Sequence, residues 1–381
     1  MGFFRCLILS VAAALLLTSC RPTPPQPQDP DTADPSSAAM QGVWLSFLDL
    51  QDLLADTTPA TAAQQLDEAL DTCATAGLNT VFFHVRSHSD AWYESAVFPA
   101  ATAAAPLLTQ GFDPLAYAVE AAHKQGLTLH AWVNPYRIGT DPSRAVVNGE
   151  DTLFEKDGIW YYNPAADGAR ESVIAGVREI LQNYPVDGIH FDDYFYPDGM
   201  AAEGEPFEQI PIDTEATTYR QTQVDMLVSA VYGLCHRYGR VFGVSPVANL
   251  RRCTTGACAD VARWMATAGY VDYICPQLYV GFSHESLPFE QTLQNWLALP
   301  RREGVTLYGG LALYKAGLTD DPHAGSGREE WAASCDILAR QITCLRQQGA
   351  DGFVLFRYRQ LIDTDPALTA EREAILALLK D

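Results

Sequence analysis

Eight times along this chain a short β-rich run is followed by a stretch of helical periodicity, and no other feature constrains the fold as strongly. The runs are VWLSF (43–47), TVFFHV (80–85), LTLHAWV (127–133), GIHFDDY (188–194), VFGVSPV (241–247), DYICPQLY (272–279), TLYGGLALY (306–314) and GFVLFRY (352–358). Between them, apolar residues recur at helical spacing over 61–76, 112–125, 169–183, 217–238, 286–299 and 328–348. Gly77, Gly126 and Gly349 each stand where a helix is expected to end in a left-handed cap before the next strand. Strands separated by helices run parallel with right-handed crossovers, and eight of them predict an α/β chain closed as a (β/α)8 TIM barrel. The competing arrangement is an open doubly wound sheet, but no Gly-rich phosphate loop follows the first run.

The first forty residues do not share this alternation. Arg5 precedes an apolar run over 7–17 that is too short for a permanent transmembrane helix, so residues 1–19 are expected to be a signal peptide. Leu17, Thr18, Ser19 and Cys20 resemble a bacterial lipobox, which predicts acylation at Cys20. Residues 20–40 are dense in Pro, Asp, Ser and Thr, a composition that cannot bury enough surface to fold, and are read as the lipidated cysteine with a stiff tether. The barrel is then expected over 41–381, in the cell envelope outside the cytoplasmic membrane, with the lipid anchor as its one membrane contact. With 48% apolar residues a large core is available, and a net charge of −22 argues against a nucleic-acid partner and suits a neutral or weakly charged substrate.

Of nine cysteines, Cys6 and Cys20 fall in the leader, which leaves an odd number in the barrel. Cys73, Cys235, Cys335 and Cys344 fall in helical patterns and Cys275 in a strand, where buried thiols are expected. Cys253 and Cys258 close a short loop and are the best candidates for a disulfide. No spacing of ligands suggests a metal, and no cofactor is expected.

In a (β/α)8 barrel the chemistry sits at the C-terminal ends of the strands, on the inward alternation. On that alternation lie Phe82, His84 and Arg86 in the second run, and His130, Trp132 and Asn134 in the third. His190 and Asp192 follow in the fourth, and Cys275, Gln277 and Tyr279 in the sixth. Adjacent Asp192 and Asp193 form the sharpest feature, because two neighbouring carboxyl groups at a strand end incur desolvation and mutual repulsion. A pair of carboxyls held at different pKa values supplies an acid for a leaving oxygen and an anion beside it, which is what glycoside cleavage needs. The competing reading is a pair of capping aspartates, or aspartates bridged to Arg86 or Arg137. Asp192 is expected to face the barrel, whereas Asp193 reaches the site only if the strand has already ended. No distant carboxylate stands out as a partner; Glu94, Glu215 and Asp272 fit loosely. That favours attack by the substrate's own N-acetyl group, with one Asp orienting the acetamido nitrogen and the other acting as acid and base.

Trp92, Tyr93, Trp132, Tyr136, Trp160, Tyr161, Tyr162, Tyr194, Phe195, Tyr196 and Tyr279 cluster near the strand ends, where aromatic faces can stack on sugar rings. Around the same mouth, Arg86, Asp90, Asn134 and Arg137 offer polar groups, and an Arg there can bind a carboxylate of the protein or of the substrate.

VWLSF, the stretch from Val85 to Pro99, GFDPL (111–115), HAWVNPYR (130–137), Tyr162-Asn163-Pro164, VDGIHFDDYFYP (186–197), SPV (245–247) and PQLY (276–279) resemble the glycosyl-hydrolase-like family 10 of lipoprotein glycosidases. The resemblance implies a (β/α)8 barrel acting on cell-wall glycan strands, with Asp192 and Asp193 as the catalytic pair. It further implies Arg86, Asn134, Arg137, Gln277 and Tyr279 as substrate contacts, beside which Asp90, His130, Tyr136, Tyr194 and Tyr196 are candidates. Two departures stand out: His88, and residues 140–158, which carry no familiar pattern. The expected function is cleavage of an N-acetylated glycan, the peptidoglycan backbone without stem peptides. The alternative is a lipid-anchored, catalytically silent glycan-binding protein. An amylase-like or α-galactosidase-like reading needs a carboxylate at the end of strand six, where Gln277 stands.

Overall fold

The computed structural model describes residues 39–147, 152–193, 195–197 and 214–380. The expected signal peptide, Cys20, the tether up to residue 38, and Tyr194 lie outside the described residues. Eight strands form one closed barrel: β1 (Met40–Leu45), β2 (Thr80–Arg86), β3 (Thr128–Val133), β4 (Gly188–Phe191), β5 (Val241–Val244), β6 (Tyr273–Ile274), β7 (Thr306–Ala312) and β8 (Gly352–Phe356). Every neighbouring pair is parallel, and β1 closes the ring by pairing with both β2 (Val43↔Val81) and β8 (Val43↔Leu355). All eight sequence runs are therefore strands of a (β/α)8 barrel.

The alternation of each strand sorts its side chains into two cores. Val43, Leu45, Val81, Phe83, Val85, Leu129 and Ile189 point outward beneath the helices. Trp44, Phe82, Trp132, Tyr273, Cys275 and Val354 fill the barrel. A hydrogen-bonded chain runs through the barrel interior. The Trp44 indole donates to His190 Nε2 (3.3 Å), and because an indole can only donate, Nε2 must accept. The proton is thus on His190 Nδ1, 3.0 Å from the Tyr273 hydroxyl, which lies 2.9 Å from His130 Nδ1. Burial drives the His190 pKa well below its ordinary value and His130 to about 4, so both are neutral at pH 7. Gly243 is required here: a Cβ would fall inside the Tyr273 ring.

The helices begin and end as the sequence suggests. Ser46 and Asp49 form a reciprocal capping box, and Asp113 caps the helix Pro114–Lys124. Gly77, Gly126 and Gly349 have φ of 76°, 74° and 83°. Four details differ from the sequence reading. The 328–348 stretch splits into a one-turn helix (Glu330–Ala333) and a longer helix (Ile337–Gln348), which leaves Cys335 exposed between them. The β6 ladder breaks because Pro276 has no N–H to donate, although Gln277 still bridges Val247 and Gly310. A final helix, Pro366–Lys380, covers the closure of the barrel. Residues 140–158, which carried no pattern, contribute one strand, Leu153–Lys156, to an antiparallel sheet completed by Arg137–Gly139 and Ile159–Tyr162. Its Trp160, Tyr161 and Tyr162 lie on the central strand, paired with both of the others.

Candidate active site

Strand β4 ends at Phe191, so Asp192 and Asp193 both lie beyond the last ladder residue and are no longer bound to opposite faces. Asp192 is buried, and its Oδ2 accepts the Trp132 indole N–H at 3.1 Å. The Trp132 ring is stacked on His84 with centroids 3.5 Å apart, and the Phe47 N–H donates to His84 Nδ1. Burial holds His84 far below its usual pKa, so it is a neutral support for the indole that anchors Asp192.

Asp193 is placed differently. Its side chain lines a cavity of about 290 Å³ together with Tyr161, Phe195, Tyr196, Lys156, Asp157 and Arg252. The Gln277 side-chain amide donates to Asp193 Oδ1 (3.1 Å) and to the Ser245 carbonyl (2.9 Å), which fixes both the amide and the carboxyl. Burial raises the Asp193 pKa above the usual carboxylate range; Gln277, its own backbone N–H and Arg252 offset this only in part. A carboxyl that holds its proton longer than normal, at the wall of a cavity, is suited to donate that proton to a leaving oxygen.

The remaining sequence candidates separate into three groups. Gln277 and Tyr196 join Asp193 at the cavity, Gln277 through its hydrogen bond and Tyr196 as a wall. Tyr279 is half-buried on the other side of the mouth, against Phe356. Asp90 and Arg137 are half-buried near the β2 and β3 ends; Asp90 accepts the His88 N–H, and burial raises its pKa.

The third group lies beneath the surface of the mouth. Arg86, Asn134, Tyr136 and His130 are buried and offer a substrate almost no surface. One Arg86 amino group donates to the carbonyls of Asn134 and Pro135 (2.6 and 2.7 Å), and its guanidinium lies over the Phe98 ring. The Asn134 amide donates to the Ser87 carbonyl. These residues stitch the β2 and β3 ends together. His130 lies in the barrel interior, bonded to Tyr273. Trp92, Tyr93 and Tyr162 are likewise core. Cys253 and Cys258 are free buried thiols rather than a disulfide; the Cys253 thiol faces the Val247 carbonyl at 3.0 Å.

Of the loosely fitting carboxylates, Asp272 is at the opposite end of the barrel, bonded to His236 and the Phe242 N–H. Glu94 and Glu215 are exposed and do not line the cavity. Sequence reasoning missed Arg252 and Lys156. Arg252 lies in a short helix (Leu250–Thr255) capped by Asn249, and the Asn249 cap was the one local signal for it.

A closed eight-stranded parallel barrel with two tandem acids beyond the end of β4 is an architecture compatible with glycoside cleavage. The chain belongs to the family described as Glycosyl hydrolase-like 10, whose sequence profile matches residues 39–324. It is 29% identical over 362 residues to the glycosyl hydrolase DigH of Escherichia coli K12, covering 81% of this chain and 82% of that one. It is 30% identical over 318 residues to the glycosyl hydrolase YngK of Bacillus subtilis, covering 74% and 60%. Among solved structures, its fold is similar to the PgaB (BpsB) glycoside hydrolase domain from Bordetella bronchiseptica, with a TM-score of 0.58, 13% identity and coverage of 88% and 99%. It is also similar to the α-L-fucosidase isoenzyme 2 of Paenibacillus thiaminolyticus, with a TM-score of 0.55, 14% identity and coverage of 88% and 49%. The chain is a glycoside hydrolase.

Proposed function

We propose that this enzyme is an endo-acting glycosidase of the cell envelope that cuts an N-acetylated glycan, the peptidoglycan backbone free of stem peptides. The observation that carries the reading is the unequal environment of the tandem acids. Asp193 opens on the cavity with a raised pKa, while Asp192 is buried and fixed by an indole. Asp193 protonates the leaving glycosidic oxygen and then takes a proton from water; Asp192 is the fixed anion that orients the acetamido nitrogen of the sugar. Among the described residues lining the cavity, the one other carboxyl is Asp157, on the exposed turn at Gly158. That arrangement supports attack by the N-acetyl carbonyl over attack by a protein carboxylate. Lys156 and Arg252 at the wall give an acid-bearing sugar a cationic side to rest against.

Mass spectrometry of products from purified glycan strands, with and without stem peptides, tests this directly. Disaccharide-repeat fragments from the naked strands alone are the expected result. If wild type and Asp192→Asn retain glycan equally and neither cuts it, the silent glycan-binding alternative replaces the enzyme. The anchor is a separate proposal: Cys20→Ser is expected to move the protein from the membrane fraction to the soluble one, and unchanged fractionation would remove it.

A further inference from the structure

A second aromatic surface lies across the barrel mouth from the Asp193 cavity. Tyr314 follows the end of β7, and its large apolar side chain is 43% exposed. The ring is not loose. It stands at 90° to Tyr279 and at 82° to Phe356, with both centroids 6.0 Å away. Tyr279 and Phe356 are themselves in contact at 5.6 Å, and Phe356 reaches Trp44 at the barrel axis. The segments carrying these rings are clamped by Lys315, whose ammonium donates to the Tyr279 carbonyl (2.8 Å) and to the buried Asp321 carboxylate (2.6 Å). A rigid aromatic face exposed beside a catalytic mouth offers stacking area at little conformational cost on binding.

The surface is linked to the acids through the chain segment that follows β6. Tyr279 is two residues beyond Gln277, which holds Asp193, and the phenol lies close enough to Asp193 and Asp192 for both to act on its ionisation. We propose that Tyr314, backed by Tyr279 and Phe356, is a stacking subsite for a neutral hexosamine ring of the glycan, on the opposite side of the acids from the Lys156 and Arg252 wall. This rests on the glycosidase reading above. It gives the cleft two unlike halves, an aromatic one that takes the uncharged face of a sugar and a cationic one. A strand threaded across both would be cut internally.

The test uses the full-length chain with two substrates: long stem-peptide-free glycan strands, and the shortest oligosaccharide that wild type still cleaves. Tyr314→Ala is expected to raise KM on long strands about tenfold while leaving the short substrate within about twofold. Tyr314→Phe, which keeps the stacking face, is expected to stay within about twofold of wild type on both. If wild type cuts strands and Tyr314→Ala matches it, the subsite is wrong and the glycosidase reading stands. An equal loss on both substrates, or equal damage from Phe and Ala, also overturns the subsite. If wild type neither binds nor cuts any glycan, the functional reading falls and takes the subsite with it.

Discussion

The ends of β2 and β3 and the ends of β4 to β6 look alike as sequence, since each carries Arg or Asp, Asn or Gln, and aromatic residues on the inward alternation. The structure makes them opposites. At β2 and β3 the polar groups are turned inward on backbone carbonyls, with Arg86 on Asn134 and Pro135 and Asn134 on Ser87. At β4 to β6 they are turned on one another and on a cavity, with Gln277 on Asp193 and Arg252 along the wall. The Arg86 amino group that meets two carbonyls is a fastener, because a substrate would have to break those bonds to reach it, while the other amino group is buried with no hydrogen-bond partner among the described residues. A carboxyl held by one amide at the edge of open volume is placed to meet a substrate, which is the role proposed for Asp193. Polarity at a barrel mouth therefore marks function only where the polar groups face space.

The largest effect that could break this contrast is on rate. Asp193→Asn removes the transferable proton and is expected to lower kcat about a thousandfold, with glycan retention unchanged in a pull-down. A variant that keeps its turnover would assign Asp193 to the fastener side. Next comes stability. Arg86→Ala leaves two buried carbonyls without their donor and is expected to cost about 3–4 kcal/mol in denaturant unfolding. Arg252→Ala, on the exposed face of its helix, is expected to change stability by about 0.5 kcal/mol or less while weakening activity. Equal destabilisation by the two substitutions would erase the distinction.

Acidification probes the barrel interior beneath both regions. His130 is neutral when folded, with its pKa lowered by burial to about 4 from an ordinary value of 6.5. Between these values the unfolded chain binds a proton that the folded chain does not, so stability is full above pH 6.5 and falls as the pH drops toward 4. The loss from His130 alone is about 3 kcal/mol, read as the slope of unfolding free energy against pH. A flat profile across that window would mean the His130–Tyr273–His190 chain is not buried as described. The smallest effect sharpens the Asp193 assignment. The Gln277 amide favours the ionised carboxylate, so Gln277→Met is expected to raise the Asp193 pKa further. The alkaline limb of kcat/KM then moves to higher pH by about one unit or less. A downward move would contradict the hydrogen bond.

Much of this molecule was legible before any coordinates. Period-two runs separated by helical periodicity placed all eight strands, and the glycines at 77, 126 and 349 marked three helix ends, because these signals are local and repeat along the chain. The tandem acids after β4 and the inward position of Gln277 followed from the same alternation. Residues 140–158 were illegible because a short antiparallel sheet at a barrel rim takes its stability from its neighbours and has little periodicity of its own. Arg252 and Lys156 were missed because they join the site from a short helix and a rim strand inserted after the barrel strands, which no spacing in the sequence records.

The sequence by itself determined the barrel, its strand order, and the end of it at which chemistry belongs, since hydrophobic period and the handedness of crossovers leave few alternatives. Only the tertiary structure decided which polar residues face open volume and which are buried against the backbone. Arg86 and Asn134 satisfy carbonyls while Asp193 faces a cavity, and that choice depends on which partners lie within hydrogen-bonding distance once the loops are packed.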